Sequence, residues 1–369
     1  MDIIHILLGK ANPNRMNGVN KVVLELATEQ KKHGHHVQIW GLTKSPINLT
    51  DNRSTVPTLL FKHKQNPFAL SSYLQLAIKR TPSNAVFHIH GGWIPVYWQL
   101  VRHIKKNGNR VILTPHGSYN RIAMLKNRWV KKIYFKMFEI DVLKRVDHIH
   151  CLGASEALGL EAIFPNQKHT VLPYGVYRNP IQHLPQPSDK FILGFVGRLT
   201  AHTKGLDLVI KAFEQFSRKK HVELWIVGDG QDKEHLERLT KEIGVASKVV
   251  FLGKLFGEDK RAVMRQMTAF VHPSRNEGLP TAVLEASSMG IPCIVSDATN
   301  LAGYISQYRA GVRVSNENLV ELILGMAQIY KHWLINKIGA YRVNAERMIA
   351  QEFAWSTIVP KYTQLYQSI

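Results

Sequence analysis

The sequence predicts an α/β protein of two domains, each built on a parallel sheet. The chain has 369 residues, about twice the length of an ordinary domain. Short apolar, β-branched runs alternate with amphipathic stretches along the whole length, a pattern typical of buried parallel strands joined by helices. A proline-containing stretch at 173–190 has no hydrophobic periodicity and divides this alternation into two halves.

Eleven apolar runs are predicted to be strands. They are residues 3–8, 37–42, 85–90, 111–114, 148–152 and 170–173 in the first half, and 191–196, 223–227, 249–252, 269–272 and 293–296 in the second. Intervening stretches such as 21–32, 205–219 and 233–243 are predicted to be helices. Open α/β sheets bind ligands at the carboxyl ends of their strands, so we expect two doubly wound domains that face a central cleft.

Composition and charge exclude some classes of protein. With 45% hydrophobic and 20% charged residues, the chain is globular rather than disordered. The formal net charge is +21, and most of the excess lies in residues 1–172, which hold 24 basic and 9 acidic residues. Such a charge suits nucleic acid, a membrane surface or anionic small molecules.

The N-terminal sequence and the cysteines favour a cytoplasmic location. The run MDIIHILLG does not resemble a signal peptide, because Asp2 stands where a basic region belongs and His5 interrupts the apolar stretch. No run approaches the ~20 apolar residues of a membrane span. Cys151 and Cys293 cannot form a disulfide framework, and no Cys or His spacing indicates zinc, so we expect reduced thiols and no bound metal.

The segment HPSRNEGLPTAVLEASSMGIPCIVS, residues 272–296, carries the strongest constellation. A strand is predicted to end at His272, and a loop leads to a helix that begins near Pro280, where backbone amides can bind an anion. Glu277 in the loop and Glu285 in the helix can both accept hydrogen bonds from the vicinal hydroxyls of a sugar. The alternative is an exposed loop carboxylate and a solvated helix carboxylate.

A second segment, FVGRLTAHTKGLDLVIKAF at 195–213, fits a phosphorylated ligand. Arg198 and Lys204 stand in a predicted loop between a buried strand and a helix. Two cations beside a helix N-terminus suit a diphosphate. The alternative is that both cations are simply solvated.

A third segment, WIVGDG at 225–230, ends a predicted strand with Gly228 and Gly230, which allow a flat group to approach the backbone. In this order and spacing, the three segments resemble the donor-nucleotide half of glycosyltransferase family 4, which has the GT-B fold. The spacing from Glu277 to Glu285 matches the E-x7-E signature of that family. The GRL…KG sequence is similar to its phosphate loop, with one residue more than the shortest version.

The resemblance extends over nearly the whole chain. Residues 16–37 are similar to the family's glycine loop, helix and second strand, TPHGSY at 114–119 to its histidine loop, and 353–366 to the closing helix that crosses back to the N-terminal domain. The domains it implies are an acceptor-side Rossmann-like domain of residues 1–172 plus 353–369, a linker over 173–190, and a nucleotide-sugar donor domain over 191–352.

Carried over residue by residue, the resemblance implies roles in a retaining transfer. Arg198 and Lys204 hold the diphosphate of the nucleotide sugar. Glu285 accepts the ribose hydroxyls, and Glu277 contacts hydroxyls of the transferred sugar. His116 lies over the donor sugar near the anomeric carbon; the alternative for this residue is a packed or capping histidine.

The resemblance also implies backbone contacts with the donor. The amides of Gly278, Leu279 and Thr281 face the phosphates and the sugar, and Asn17 and Gly18 close the phosphate site from the opposite domain. No DxD motif is present, so cations rather than a metal are expected to neutralise the diphosphate. No cofactor is expected beyond the nucleotide sugar, a substrate whose base is expected to be uridine on family frequency alone.

Residues 121–146 predict a basic helical stripe beside apolar residues. At ~100° per residue, its cations fall within ~140° of the helix surface. The stripe and its aromatic neighbour comprise Arg121, Arg128, Trp129, Lys131, Lys132 and Lys136. This pattern is typical of an interfacial membrane helix; the alternative is an ordinary solvated basic face.

The leading hypothesis is a metal-independent, retaining glycosyltransferase of surface polysaccharide assembly, such as O-antigen or capsule. Its expected acceptor is a glycan, polyprenyl-diphosphate-linked by analogy with similar enzymes, at the anionic inner face of the cell membrane. The runner-up is a GT-B enzyme with a small soluble acceptor. A basic nucleic-acid-binding protein is a remote alternative, because no recognition motif is found and no nucleic-acid partner is expected.

Overall fold

The computed structural model describes residues 1–9, 18–45, 56–125, 127–179 and 190–369. The chain forms two compact units. The N-terminal unit comprises Met1–Gly175 and Trp355–Ile369, and the C-terminal unit comprises Val176–Ala354. Of the expected linker at 173–190, residues 180–189 lie outside the described part of the chain.

The N-terminal unit is built on a parallel sheet of seven strands. The strands are β1 (Asp2–Leu8), β2 (His36–Thr43), β3 (Thr58–Lys62), β4 (Val86–His90), β5 (Arg110–Thr114), β6 (His148–Cys151) and β7 (His169–Val171). The helices are α1 (Gly18–Lys32), α2 (Ser72–Arg80), α3 (Pro95–Lys106), α4 (Arg121–Leu125), α5 (Arg128–Tyr134), α6 (Ile140–Arg145) and α7 (Ala154–Ile163). A π-helical turn, Phe135–Glu139, joins α5 to α6.

The strand order β3-β2-β1-β4-β5-β6-β7 defines a doubly wound sheet. Its order reverses between β1 and β4, and ligands of such sheets bind beside this reversal at the carboxyl ends of the strands. Strand β4, VFHIH, is buried at all five positions, as expected for a central parallel strand covered on both faces.

The C-terminal unit repeats this plan with a parallel sheet of six strands. They are β8 (Phe191–Val196), β9 (Val222–Val227), β10 (Val249–Gly253), β11 (Ala269–His272), β12 (Cys293–Ser296) and β13 (Gly311–Val314), in the order β10-β9-β8-β11-β12-β13. The helices are α8 (Ala201–Lys204), α9 (Leu206–Ser217), α10 (Lys233–Glu242), α11 (Gly257–Arg265), α12 (Thr281–Ser288), α13 (Ala302–Tyr308), α14 (Leu319–Leu334) and α15 (Gly339–Met348). The reversal falls between β8 and β11.

The last helix, α16 (Trp355–Gln367), belongs to the N-terminal unit. It packs on α1, and its Trp355 ring lies so close to Gly175 that a Cβ on the glycine would approach the ring to 2.4 Å. Tyr362 and Tyr366 are buried in the same unit. The C-terminal helix therefore returns to the N-terminal domain, as expected.

The two Rossmann-like sheets agree with the predicted fold class, and some elements differ from prediction. Strands β3 and β13 were not predicted; both are short edge strands with exposed positions. The single helix expected over 121–146 is wrong. Asn127, in the left-handed conformation at φ 56°, precedes α5, and the π-helical turn interrupts the rest.

Among the described residues, no helix combines the length and the apolar character needed to cross a membrane.

Candidate functional site

The loop after β8 places the two predicted cations at the reversal of the C-terminal sheet. Arg198 is exposed and directly follows Gly197, and its guanidinium has no partner among the described residues. Residues 201–204 form the short helix α8 rather than the predicted loop. Gly205 ends it at φ 69°, and a Cβ there would lie 2.1 Å from the carbonyl oxygen of Pro273, so this turn needs glycine.

Lys204 forms an ion pair with Glu277, which lies in the loop that follows β11. His272, at the end of β11, also contacts this carboxylate through Nε2 at 2.9 Å. Burial opposes ionisation of Glu277, but the Lys204 charge and the His272 hydrogen bond outweigh it and lower the carboxyl pKa to about 2. Glu277 is therefore a largely buried anion held by Lys204 and His272, not an exposed loop carboxylate.

Polar contacts of Arg275 and Asn300 hold the Glu277 loop in place. Arg275 donates to both carboxylate oxygens of Asp207 at 2.8 and 2.9 Å, and to Glu317 at 2.7 Å. The Asn300 side chain donates to the carbonyl oxygens of Glu277 and Gly278 at 3.1 and 2.6 Å. These contacts fix the loop before any ligand binds, which lowers the entropy cost of binding.

Helix α12 begins at Thr281, immediately after Pro280. Gly278 and Leu279 precede the helix, so all three predicted amide donors lie at its N-terminus, where orphan N–H groups and the helix dipole favour an anion. Glu285 lies inside this helix and is 8% exposed. The alternative of a solvated helix carboxylate is therefore wrong.

Sequence reasoning missed the partner of Glu285. Lys260, in α11, donates to Glu285 Oε2 at 2.5 Å, and both side chains are largely buried. Lys260 stands in the unremarkable sequence GEDKRAVMR, so nothing in the local sequence signals this contact.

Backbone packing explains why glycine is needed at positions 228 and 230. A Cβ on Gly228 would lie 1.8 Å from the carbonyl oxygen of Gly197, and one on Gly230 would lie 2.4 Å from that of Leu199. The two glycines let the loops that follow β8 and β9 meet backbone to backbone, with the Leu199 amide donating to the Asp229 carbonyl at 3.0 Å. Contact of these glycines with a flat ligand group stays a prediction.

In the N-terminal unit, the histidine loop follows β5 and adopts a strained backbone. His116 has φ 56° and Gly117 has φ 81°. The buried carboxylate of Glu156, at the start of α7, accepts from the Gly117 amide at 2.5 Å and from the Leu152 amide at 3.2 Å. Burial raises the pKa of Glu156 to about 7.

A second buried carboxylate, Glu139, holds the far side of this loop. It accepts from the Tyr119 hydroxyl at 2.5 Å and from the Trp93 amide at 2.9 Å. Burial raises its pKa. Neither Glu139 nor Glu156 was singled out from the sequence, because each is an ordinary helix glutamate until the fold brings it to the loop.

Three histidines of strands β4 and β11 are buried. His88, His90 and His272 are at most 3% exposed. His5 joins His88 and His90 in a cluster in which one ring nitrogen from each residue lies within 4.8 Å of the other two, a spacing open to a metal ion. However, every ring nitrogen of these three has a hydrogen-bond partner, so a metal would have to displace hydrogen bonds already made.

Only some residues of the predicted basic stripe form a single exposed surface. In α5 and the π-helical turn, Arg128, Lys132 and Lys136 are exposed beside Trp129, which is 65% exposed, with Val130, Ile133 and Met137 exposed to a similar degree. Lys131 instead donates to the Ala123 carbonyl at 2.6 Å. Arg121 lies on the separate helix α4, beyond the break at Asn127.

One predicted donor residue, Asn17, lies outside the described residues. Gly18 is the first residue of α1, and a Cβ there would meet no described atom within 4 Å. Packing among the described residues therefore does not explain the glycine at this position.

GT-B proteins are defined by two doubly wound domains and a C-terminal helix that packs back on the first domain. This chain has that fold. Residues 178–346 match the family model described as glycosyl transferases group 1, and residues 16–179 match that of glycosyltransferase family 4. The chain belongs to these glycosyltransferases.

Similar proteins agree with this assignment. An uncharacterized glycosyltransferase of Methanocaldococcus jannaschii is 30% identical over 49% of this chain and 46% of its own length. The O-antigen biosynthesis glycosyltransferase WclY of Escherichia coli is 28% identical over 50% of this chain and 48% of its own. The chain thus spans about half the length of these curated relatives.

Among solved structures, Anabaena HepE in complex with UDP and glucose superposes with a TM-score of 0.78. The superposition covers 100% of both chains at 14% sequence identity. At this identity, the likeness establishes the GT-B fold.

Proposed function

We propose that this glycosyltransferase is a retaining enzyme that moves a sugar from a nucleotide sugar, with uridine as the base, to a glycan acceptor. The observation that carries the proposal is the arrangement at the reversal of the C-terminal sheet. There, Lys204 pairs with Glu277 in the loop that leads to α12, and Glu285 lies within that helix. Arg198 is an exposed cation in the loop that follows β8. Cations for a diphosphate and carboxylates for hydroxyls are the groups that a nucleotide sugar requires.

Departure of the nucleoside diphosphate is the step these groups serve. Negative charge grows on the departing phosphate, and fixed donors that meet this charge lower the barrier. Arg198 is an exposed cation, and Lys204 is held in place by Glu277. We assign both cations and the α12 amides to the diphosphate, which makes the transfer metal-independent.

The two carboxylates are assigned to hydroxyl groups. Glu285 accepts from the ribose, and Glu277 accepts from the transferred sugar. The low pKa of Glu277 keeps it ionised, hence an acceptor, across the physiological range. Its two internal partners suit a sugar-binding role better than that of a nucleophile, because hydrogen bonds to a carboxylate reduce its nucleophilicity.

The acceptor is proposed to be lipid-linked and to be used in surface polysaccharide assembly. The exposed face of Arg128, Trp129, Lys132, Ile133 and Met137 combines cations with apolar side chains, the combination that binds an anionic bilayer surface. Beneath it lies a cavity of about 350 Å³ lined by both types of side chain. The O-antigen function of WclY supports this proposal.

Thermal shift with UDP-, GDP-, ADP- and CMP-sugars in EDTA tests the donor assignment. We expect UDP-sugars alone to stabilise the protein and Glu285→Ala to abolish the shift. Glu258→Ala, which removes an exposed glutamate of α11 paired with Arg261 and Arg265, is the matched control and should keep it. Stabilisation that requires a divalent metal would contradict the metal-independent transfer.

Flotation with vesicles tests the acceptor side. Each cation near an anionic surface contributes ~1 kcal/mol, so replacing Arg128, Lys132 and Lys136 with Gln should weaken binding ~150-fold. The control variant has Gln at three exposed cations elsewhere in the unit, Lys79, Lys106 and Arg110. Its vesicle binding should weaken much less. Equal losses would show that only net charge matters. Full activity on a water-soluble acceptor without vesicles would favour the soluble-acceptor enzyme.

A further inference from the structure

Five histidines of the N-terminal unit belong to one continuous chain of hydrogen bonds. The chain starts at the half-buried His116 and ends in the core at a backbone carbonyl. Its members, in order, are His116, His90, His5, Gln30, Tyr366, His88, Thr114, His150 and the carbonyl oxygen of Leu172. They come from five strands or strand ends, helix α1 and the C-terminal helix.

The Leu172 carbonyl fixes which atom donates in each hydrogen bond of this chain. The Leu172 carbonyl oxygen, which can only accept, lies 2.5 Å from His150 Nε2, so this nitrogen carries the proton and Nδ1 is bare. The Thr114 hydroxyl, 2.6 Å from Nδ1, must donate its one proton there. Thr114 then accepts from His88 Nε2–H, also at 2.6 Å.

The same argument assigns the protons of the hydrogen bonds that involve the C-terminal helix. Because His88 is protonated on Nε2, its bare Nδ1 accepts from the Tyr366 hydroxyl at 2.8 Å. The Tyr366 oxygen accepts from the Gln30 side-chain amide at 2.9 Å. The Gln30 carbonyl oxygen is thereby turned to His5 and accepts from its Nε2–H at 2.7 Å.

The last two steps reach the histidine loop. His5 Nδ1 is bare and accepts from His90 Nε2–H at 2.9 Å. His90 Nδ1 is bare in turn and accepts from His116 Nε2–H at 3.0 Å. The opposite order would set the bare Nε2 of His150 against the lone pairs of the Leu172 oxygen at 2.5 Å, which is repulsive.

We propose that this chain locks His116 as the Nε2–H tautomer, so that its bare Nδ1 is presented to the substrate as a hydrogen-bond acceptor. His116 then receives a hydrogen bond from a substrate hydroxyl and is not a proton donor to the leaving group. The assignment of that hydroxyl to a sugar rests on the proposed function, whereas the tautomer does not. Tyr366, Gln30 and Thr114 are positioning residues in this scheme.

Neutral rings are required for this lock, because an imidazolium would donate from both nitrogens. Burial supplies this condition by lowering the pKa values of all five histidines, to about 4 for His5 and His150 and about 3 for His116. The buried carboxylates nearest the loop, Glu139 and Glu156, bond to backbone amides and the Tyr119 hydroxyl and not to the chain of histidines.

Histidine-selective ¹⁵N NMR of the full-length protein at neutral pH tests the tautomer directly. Protonated and bare ring nitrogens differ widely in chemical shift, and a His116→Gln variant identifies the His116 signals by their loss. We expect one neutral His116 species with a proton on Nε2. A proton on Nδ1, an even mixture, or stoichiometric metal bound at the histidine cluster would overturn the proposal.

Thr114→Val and Thr114→Ser form the matched pair. Valine keeps the shape but removes the hydroxyl that joins His88 to His150, so the His116 tautomer should no longer be single. Serine keeps the hydroxyl and should keep both the single tautomer and kcat. Should Thr114→Val not fold, Tyr366→Phe breaks the chain at another link and should give the same spectral change. An unchanged His116 spectrum in a folded broken-chain variant would overturn the proposal.

Different results would contradict the donor assignment and the His116 tautomer. Correct His116 spectra in a protein that binds no nucleotide sugar would contradict the donor assignment and leave the tautomer lock standing. Donor binding that is lost in Glu285→Ala, together with the wrong His116 tautomer, would contradict the lock alone.

Discussion

Nζ of Lys260 lies 2.5 Å from Oε2 of Glu285, although 25 residues separate the two in the chain. The lysine is on α11 and the glutamate on α12, and their side chains are 19% and 10% exposed. Glu285 is therefore held by a counter-charge inside the C-terminal unit. A ribose that hydrogen-bonds to Glu285 would meet an acceptor whose direction is already set.

Removing that counter-charge should destabilise the protein. A buried ion pair that loses one partner leaves an uncompensated charge, so Lys260→Met should lower the free energy of unfolding by ~3 kcal/mol, measured by urea denaturation. Combining Lys260→Met with Glu285→Met should recover most of the lost free energy of unfolding. Lys233→Met, at an exposed pair with Glu237, is the control and should cost under ~1 kcal/mol. Equal costs for the two single variants would contradict this interpretation.

Replacing Lys204 with Met should slow the transfer without preventing folding. The variant loses one of the two cations that we propose to bind the departing diphosphate, and removing a single donor of this kind lowers kcat ~100-fold or more. Steady-state kinetics with the donor identified by thermal shift measure the effect. Lys241→Met, at an exposed position of α10, is the control and should retain full activity. A Lys204→Met enzyme with normal kcat would remove Lys204 from the diphosphate site.

Gly228→Ala should be far more damaging than Gly244→Ala in the same unit. The new Cβ would collide with the Gly197 carbonyl at 1.8 Å, and φ is 141°. Gly244→Ala is the control, because its φ is 80° but its Cβ meets nothing within 4 Å, so it should cost only the ~1–2 kcal/mol of a left-handed alanine. Soluble yield and thermal unfolding distinguish them. Similar melting temperatures would contradict the close approach of the two loops.

Mild acid should destabilise the N-terminal unit. The folded-state pKa values of His5 and His150 are about 4, against 6.5 for free histidine, so the unfolded chain binds more protons between these values. Stability is therefore full above pH 6.5 and is lost as the pH falls towards 4. Glu139 and Glu156, whose pKa values are raised, act in the opposite direction, but five histidines outnumber them.

Urea midpoints at pH 7.5 and pH 5 measure this dependence. The midpoint should be lower at pH 5, and His150→Gln should reduce the difference. A midpoint that stays constant or rises towards pH 5 would show that the histidines do not enter the fold as neutral rings.

Much of the C-terminal unit was predictable because its signals are local. Strands such as Phe191–Val196 and Cys293–Ser296 were predicted to the residue, since a central parallel strand must be apolar on both faces. The loop and helix that carry Glu277 and Glu285 followed from glycine, proline and the apolar run around them. Edge strands such as Thr58–Lys62 have exposed positions, so burial does not require them to be apolar on both faces.

The amino-acid sequence by itself determined the class of fold, the family and the segments that carry the candidate donor site, because strand burial, helix starts and glycine turns are encoded in neighbouring residues. Only the tertiary structure decided which side chains meet. Lys260 reaches Glu285, Glu156 holds the Gly117 amide, and Tyr366 enters the histidine chain. The physical reason is that strand order and the return of the C-terminal helix bring together groups far apart in the chain, and no local pattern records these long-range contacts.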